Sequence, residues 1–383
     1  MADLDAGVVE LDALSRILPL PYRLATVLVL GIWLWGVNLQ VLHDHGIDTP
    51  SLIRYPAHAG PPTHLSVYRF ATALSSPILA SLGTYWLITH GCQKELVVAT
   101  NVLPNLTLLL VVALAFLIPQ RWLYPRQVWP AAGRTRLLNT LRRISVGGLA
   151  RTEDGKFGDV LLADALTSYA RIFSDIYIAV YMMLTRRSTT GPLDRSSIWT
   201  VPIIMAFPFL IRFRQCIADN QPFNALKYAT AFPAIAFSVM LRLQRGTPAE
   251  GNTAVIWFVA LLVNALYSFW WDVTKDWGLT VFTMKRVSPE YPYGLRRTLM
   301  FGHPAYYYGI IFVDFLLRLA LALKLSPHLE HFYEVEGGIF LLEVLEVCRR
   351  FLWVFFRVET EWVRTRHSSD VVLGDIGPKL DDD

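Results

Sequence analysis

Apolar residues run in blocks of about twenty along this chain, the length a helix needs to cross the hydrocarbon core of a bilayer. Such blocks stand at residues 22–42, 70–89, 97–119, 161–184, 198–217, 225–243, 254–273, 305–323 and 338–356. Charged residues, Gly and Pro collect between them. The pattern predicts an all-α, polytopic membrane helix bundle of about nine or ten spans. A tenth would run through the aromatic region at 122–129 and would put the N-terminus in the cytosol; without it the N-terminus faces the lumen or exterior.

The blocks divide the chain into N-terminal transmembrane helices (1–120), a basic connector (121–159), a six-helix C-terminal bundle (160–366) and a polar tail (367–383) that ends in three Asp residues and reads as disordered. The connector carries Arg121, Arg126, Arg134, Arg136, Arg142, Arg143, Arg151 and Lys156. As the most basic loop it is placed in the cytosol. Alternation then puts 186–197, 244–253 and 325–336 on the lumenal side, and 276–303 and the C-terminus on the cytosolic side. Arg186, Arg187 and Arg195 are the residues that fit this assignment worst. The opening twenty residues are acidic and the first apolar block is longer than a signal-peptide core, so that block is expected to stay as a membrane helix.

Composition agrees. Of 383 residues, 54% are hydrophobic and 17% charged, with a mean hydropathy of +0.38, too apolar for a surface that must be clothed in charge. The net charge of +4 is mild, and no basic patch with interleaved aromatics points to nucleic acid. Three dispersed cysteines, Cys92, Cys216 and Cys348, imply neither a disulfide framework nor a zinc knuckle.

The informative residues are the ionisable ones inside apolar blocks. Each costs at least ~2.5–3.5 kcal/mol at bilayer depth on insertion scales. Asp314 and Arg318 share a helix face at a spacing of four. Glu343, Glu346, Arg349 and Arg350 interrupt the last block. Asp164 opens the fourth block, Lys227 and Tyr228 open the sixth, and Asp272 and Asp276 close the seventh. Arg presents a planar fork suited to oxyanions, and carboxylates in the same cavity would hold it when the passenger is absent. This constellation reads as an anion pathway. Interhelical ion pairs and snorkelling side chains near span ends are the alternatives.

Other signals are weaker. His43, Asp44 and His45 are adjacent in a loop, as are His328, Glu330 and His331, and no metal site is expected from either. The Asn105–Thr107 sequon falls inside a span. No Gly-rich phosphate loop or nucleophile elbow is present. No enzyme activity and no cofactor is expected.

The runs LRRTLMFGHPAYYYGIIFVDFLLRLALAL, LEVLEVCRRFLWVFFRVETEW, RFRQCIADNQPFNALKYAT and WWDVTKDWGL resemble the EXS domain, shared by eukaryotic phosphate exporters related to the xenotropic and polytropic retrovirus receptor and by the yeast ER-retention-defective proteins. The resemblance covers about 160–366 strongly and the first spans loosely. With the first span near Tyr22 there is no room for an SPX domain, so the chain looks like the short Golgi-resident branch. The resemblance implies a phosphate path through Asp164, Lys227, Tyr228, Asp272, Asp276, Arg318, Glu346, Arg349 and Arg350. It also implies two departures: Thr167 where the exporters have Asn, and Leu321 where they have a gating Trp.

On this resemblance the chain is expected to return inorganic phosphate from the Golgi lumen to the cytosol, supporting glycosylation and protein retention. Another endomembrane or the plasma membrane is the alternative location. Expected partners are phosphate and membrane lipid, with a retention or coat adaptor, glycosyltransferases and a second copy of the chain as further candidates. A non-transporting trafficking scaffold and a membrane-embedded transferase are the rival readings.

Overall fold

The computed structural model describes residues 13–55, 63–118, 131–185, 187–189, 198–282, 292–322 and 336–376. The described chain is helical throughout, a polytopic membrane bundle without strands among those residues. The N-terminal third holds α1 (Ala13–Ile17), α2 (Leu20–Asp44), α3 (Thr49–Leu52), α4 (Thr63–Ile88), α5 (Lys94–Ala99) and α6 (Val102–Val112), the last extended by a π turn, Ala113–Leu117. The connector contributes α7 (Ala131–Ser145). The C-terminal bundle is α8 (Lys156–Ser168), α9 (Ala170–Leu184), α10 (Thr200–Ala218), α11 (Pro222–Ala229), α12 (Ala231–Leu243), α13 (Glu250–Trp271), α14 (Pro304–Ala322) and α15 (Glu336–Ile376).

Five stretches are long and apolar enough to cross a membrane: α2, α4, α10, α11 with α12, and α13 with the π turn that follows it. The remaining passes, α6, α8–α9, α14 and α15, are short or carry buried ionisable side chains. Many apolar residues of the long helices face outward, including Leu79, Leu87, Ile203 and Val255, as lipid contact requires.

Interhelical hydrogen bonds fix the direction of each pass. Arg23 at the start of α2 meets Glu336 at the start of α15, so these helices run parallel from one face. Tyr85 near the end of α4 donates to the Arg16 carbonyl on that face, and Thr189, just after α9, bonds Asn101 just before α6. At the opposite face Arg134 donates to the Ala115 carbonyl, Arg136 to the Arg54 carbonyl, and Gln215 near the end of α10 to the Gly148 carbonyl. The described chain therefore crosses as α2, α4, α6, α8–α9, α10, α11–α12, α13, α14 and α15. With an odd number of crossings, residue 13 and residue 376 lie on opposite faces. The aromatic region at 122–129 lies outside the described residues.

Small polar groups tie the first three passes together. The Tyr22 hydroxyl meets Ser81 Oγ at 2.8 Å, Ser81 meets Thr107 Oγ1 at 2.6 Å, and Trp33 Nε1 donates to Ser75. Such bonds act where helices have no hydrophobic advantage in leaving lipid. The sequon is absorbed into this packing, with Asn105 accepting from Thr189.

Several expected spans differ in detail. The 161–184 block is two helices broken at Tyr169, whose hydroxyl fills the space beside Gly31; a Cβ on Gly31 would lie 1.9 Å from it. The 225–243 block breaks at Thr230, because Pro233 has no N–H to give the Ala229 carbonyl. The connector is built rather than loose: Arg143 holds Asp159 through bonds of 2.6 and 2.5 Å, Asp159 also accepts from the Ala150 N–H, and Gly155 turns into α8 with φ at 95°. The helix of α15 continues to Ile376, past Arg366 where the sequence suggests the chain loses order; residues 377–383 lie outside the described part.

An epitope inserted before residue 13 and one placed after residue 376 will be protected by opposite sides of a sealed vesicle. Protease protection in oriented vesicles checks this, and protection of both from the same side would contradict the crossing pattern.

Candidate functional site

Two helix breaks and the π turn after α13 interrupt the C-terminal bundle beside its ionisable side chains. Each opens a helix where an ionisable side chain must face inward. Thr167 and Ser168, the last residues of α8 before the break at Tyr169, bond Arg350 on α15. The break at Thr230 follows Lys227 and Tyr228, and the Thr230 hydroxyl takes the Lys227 carbonyl at 2.7 Å and bonds Asn264 at 2.9 Å. The π turn (Asp272–Asp276) replaces the regular helix expected there and still brings both carboxylates to one amine. Broken helices and π turns at membrane depth are tolerated where they are buried in protein or line a cavity.

One half of the cluster is built on α8, α10 and α11. Asp164 Oδ1 accepts from Arg212 Nε at 2.6 Å and from the Tyr228 hydroxyl. Arg212 also donates to Gln215 Oε1 at 2.7 Å, and its guanidinium lies 5.0 Å from the Tyr228 ring centroid. The other half joins α11, α13, α14 and α15. Lys227 Nζ donates to Asp272 Oδ1 at 2.9 Å and to Asp276 Oδ2 at 3.0 Å. Arg318 Nη2 bonds the second oxygen of Asp272, and Arg318 Nε bonds Asp314 at 3.3 Å. Arg349 reaches Asp314 at 3.1 Å, Asp272 at 3.6 Å and Glu346 through two bonds of 2.9 and 2.6 Å.

Arg350 differs from these. Its Nε donates to Ser168 Oγ at 3.0 Å and its Nη2 to Thr167 Oγ1 at 3.2 Å. The guanidinium stacks 4.5 Å from the Trp353 ring centroid, and Nη1 is buried with no hydrogen-bond partner. Ser168 in turn donates to Glu346 Oε1 at 2.6 Å. Arg350, 8% exposed, thus holds its charge with hydroxyls and an aromatic face rather than a carboxylate.

Counting ionised groups, Arg212, Lys227, Arg318, Arg349 and Arg350 face Asp164, Asp272, Asp276, Asp314 and Glu346, so the charges of the cluster sum to zero. Neutrality is what allows so many charges at this depth, since a lone buried ion would cost several kcal/mol. An oxyanion entering next to Arg350 meets an unpaired donor, and the Arg side chains beside it can exchange carboxylate oxygens for those of the guest.

The structure brings Asp164, Lys227, Tyr228, Asp272, Asp276, Asp314, Arg318, Glu346, Arg349 and Arg350 into this cluster, with Thr167 as a ligand of Arg350. Leu321 lies in α14 three residues past Arg318, and its side chain is outside the described part. Sequence reasoning missed the roles of Arg212, Ser168, Gln215 and Trp353. Arg212 had a legible signal: it stands inside the 198–217 block, three residues before Gln215 and so on the same helix face. His45 is engaged elsewhere, its ring bonding the Val41 carbonyl at 2.8 Å and lying beside Phe301. His328, Glu330 and His331 lie outside the described residues.

A family profile described as the EXS family matches residues 18–363. "Protein ERD1 homolog 1" of Schizosaccharomyces pombe is 28% identical over 376 residues, covering 93% of this chain and 94% of that protein. "Xenotropic and polytropic retrovirus receptor 1 homolog" of Xenopus laevis is 27% identical over 367 residues, 89% of this chain and 49% of that protein. "Phosphate transporter PHO1 homolog 8" of Arabidopsis thaliana is 31% identical over 215 residues, 53% of this chain and 27% of that protein. The chain thus spans nearly the whole of the first relative and half or less of the other two.

Asp164→Ala strands Arg212 in a dry site and will destabilise the fold by about 3–5 kcal/mol. Thermal unfolding in detergent measures this, and Asp164→Ala combined with Arg212→Leu will recover most of the loss. A single variant as stable as the parent would show the pair to be dispensable.

Proposed function

The chain belongs to the EXS family, and on that premise we propose that it conducts inorganic phosphate across its membrane through the cluster around Arg350. The observation that carries this reading is the state of Arg350 itself. It is a buried guanidinium with one free Nη1 and only neutral hydrogen-bond partners, next to arginines whose carboxylates can be displaced. Phosphate is a tetrahedral oxyanion with enough oxygens to engage Arg350, Arg349 and Arg318 together. The name of the plant relative, a phosphate transporter, supports the choice of phosphate.

In the proposed cycle the guest first occupies the free donor of Arg350. Arg349 and Arg318 then trade bonds with Glu346, Asp314 and Asp272 for bonds with phosphate. As the anion leaves, the carboxylates recover their arginines, which prevents a trap. Lys227, held between Asp272 and Asp276, marks the opposite side of the pathway, and Tyr228 and Asp164 keep that wall rigid. This is transport and needs no bond to be made or broken in the passenger.

The finer assignment follows the resemblance to the ER-retention-defective proteins. Phosphate released in the Golgi lumen by nucleotide-sugar-dependent glycosylation would return to the cytosol, sustaining glycosylation and retention of Golgi and ER proteins. The basic connector and the C-terminal end of α15 would lie in the cytosol, and the face bearing Arg23 and Glu336 in the lumen. A trafficking scaffold is the second reading, favoured by the continuation of α15 to Ile376.

Purified protein in liposomes loaded with radiolabelled phosphate will release it, with sulfate and nucleoside monophosphates as competitors measuring selectivity. Arg350→Ala will reduce release to the background of empty liposomes, and Arg350→Lys will retain a fraction of it. Undiminished release by a folded Arg350→Ala protein would overturn the assignment; loss of α15 residues 367–376 with no effect on release would separate scaffold from transport.

A further inference from the structure

Beyond this cluster, toward the face that bears Arg23 and Glu336, stands another ion pair of a different kind. Arg171 lies on α9, shortly after the break at Tyr169, and Glu343 lies on α15 one turn before Glu346. Arg171 Nε and Glu343 Oε1 are 3.8 Å apart, within electrostatic reach but too far for a hydrogen bond. The structural pair between Arg143 and Asp159, by contrast, is closed by two bonds of 2.6 and 2.5 Å. Arg171 Nε makes no hydrogen bond at all.

The position of Arg171 on its helix is decisive. Ser174, Asp175 and Ile178, at spacings of three, four and seven, share its face and are each about 1% exposed. The outward face of α9 is the opposite one, with Val180 and Leu184 exposed. Yet the Arg171 side chain keeps 29% of its surface accessible, and Glu346, on the inward stripe of α15, keeps 20%. A side chain on an inward stripe that remains accessible opens onto an internal space rather than lipid. Glu343, Glu346 and Arg350 follow one another on α15 at spacings of three and four, so one wall carries all three. Seven residues separate Glu343 from Arg350, or about 10 Å along the axis.

We propose that Arg171 is a second phosphate station, about 10 Å from Arg350 along the axis of α15 on the side of the chain's N-terminus, and that Glu343 is its displaceable counter-ion. This rests on the phosphate-conducting reading and adds a vestibule site to it. Phosphate arriving from that face replaces Glu343 on Arg171, then passes to the free donor of Arg350; departure toward that face runs in reverse. Two stations of moderate strength along a path let an anion enter readily and leave readily, where one deep well would hold it. Glu343 sets the strength of the outer station by competing for the same guanidinium.

The test uses full-length protein in liposomes sorted for one orientation, with phosphate varied separately on each side. Arg171→Gln will raise the half-saturating phosphate concentration about tenfold on the N-terminal-face side and leave it unchanged on the other side, the loss of one charge-assisted contact. Glu343→Gln will lower it on the same side only, because Arg171 is released from competition. A purely structural pair would give the same loss for both variants, on both sides, and a lowered unfolding temperature. That outcome, or half-saturation unchanged in both variants while parent protein conducts, would overturn the proposal. Absence of conduction by the parent protein would instead defeat the underlying phosphate reading.

Discussion

The structure depends on keeping guanidinium groups at membrane depth without leaving any charge stranded. Bringing a single arginine into hydrocarbon is costly, and the chain answers with a mesh in which Asp272 and Asp314 each serve more than one cation. Asp272 holds Lys227 with one oxygen and Arg318 with the other; Asp314 bridges Arg318 and Arg349. Sharing of this kind ties α11, α13, α14 and α15 into one unit. It also makes these bonds replaceable, because Lys227, Arg318 and Arg349 each meet two or more carboxylates. Stability and exchange of partners come from the same arrangement.

The fold was legible because bilayer thickness and helix rise leave few choices once apolar blocks are found. Most of the cluster was legible for a related reason: an ionised group inside an apolar block has to be compensated, so Asp314, Arg318, Glu346 and Arg349 announce themselves. What the sequence hid were the places where the helix stops being a helix. Tyr169 carries no Gly or Pro signal, and its break depends on the room that Gly31 leaves on a distant pass. Thr230 could have been anticipated from Pro233, three residues later. The π turn at Asp272 gives no sequence sign that separates it from the preceding helix.

Those interruptions decide which side chains meet. Thr167 and Ser168 end α8 just before the break at Tyr169 and give Arg350 both of its hydroxyl ligands. The hydroxyls matter because they stabilise a cation without neutralising it. A carboxylate in either place would close Arg350 into the mesh; alanine would leave it unsupported. Neutral donors and acceptors around one arginine, amid ion pairs around the others, create a graded set of partners rather than a uniform one.

Farther along α15, Glu359 accepts from Tyr307, Arg296 and the Met300 N–H, and Thr360 bonds Arg296 and the Trp277 carbonyl. The loop entering α14 is thereby clamped to the same 41-residue rod that bears Glu343, Glu346, Arg349 and Arg350. A rod of that kind behaves as a camshaft. Any torque applied at the Glu359 clamp turns every charged lobe along it at once and in fixed phase, so the stations could change occupancy in concert without any hinge between them.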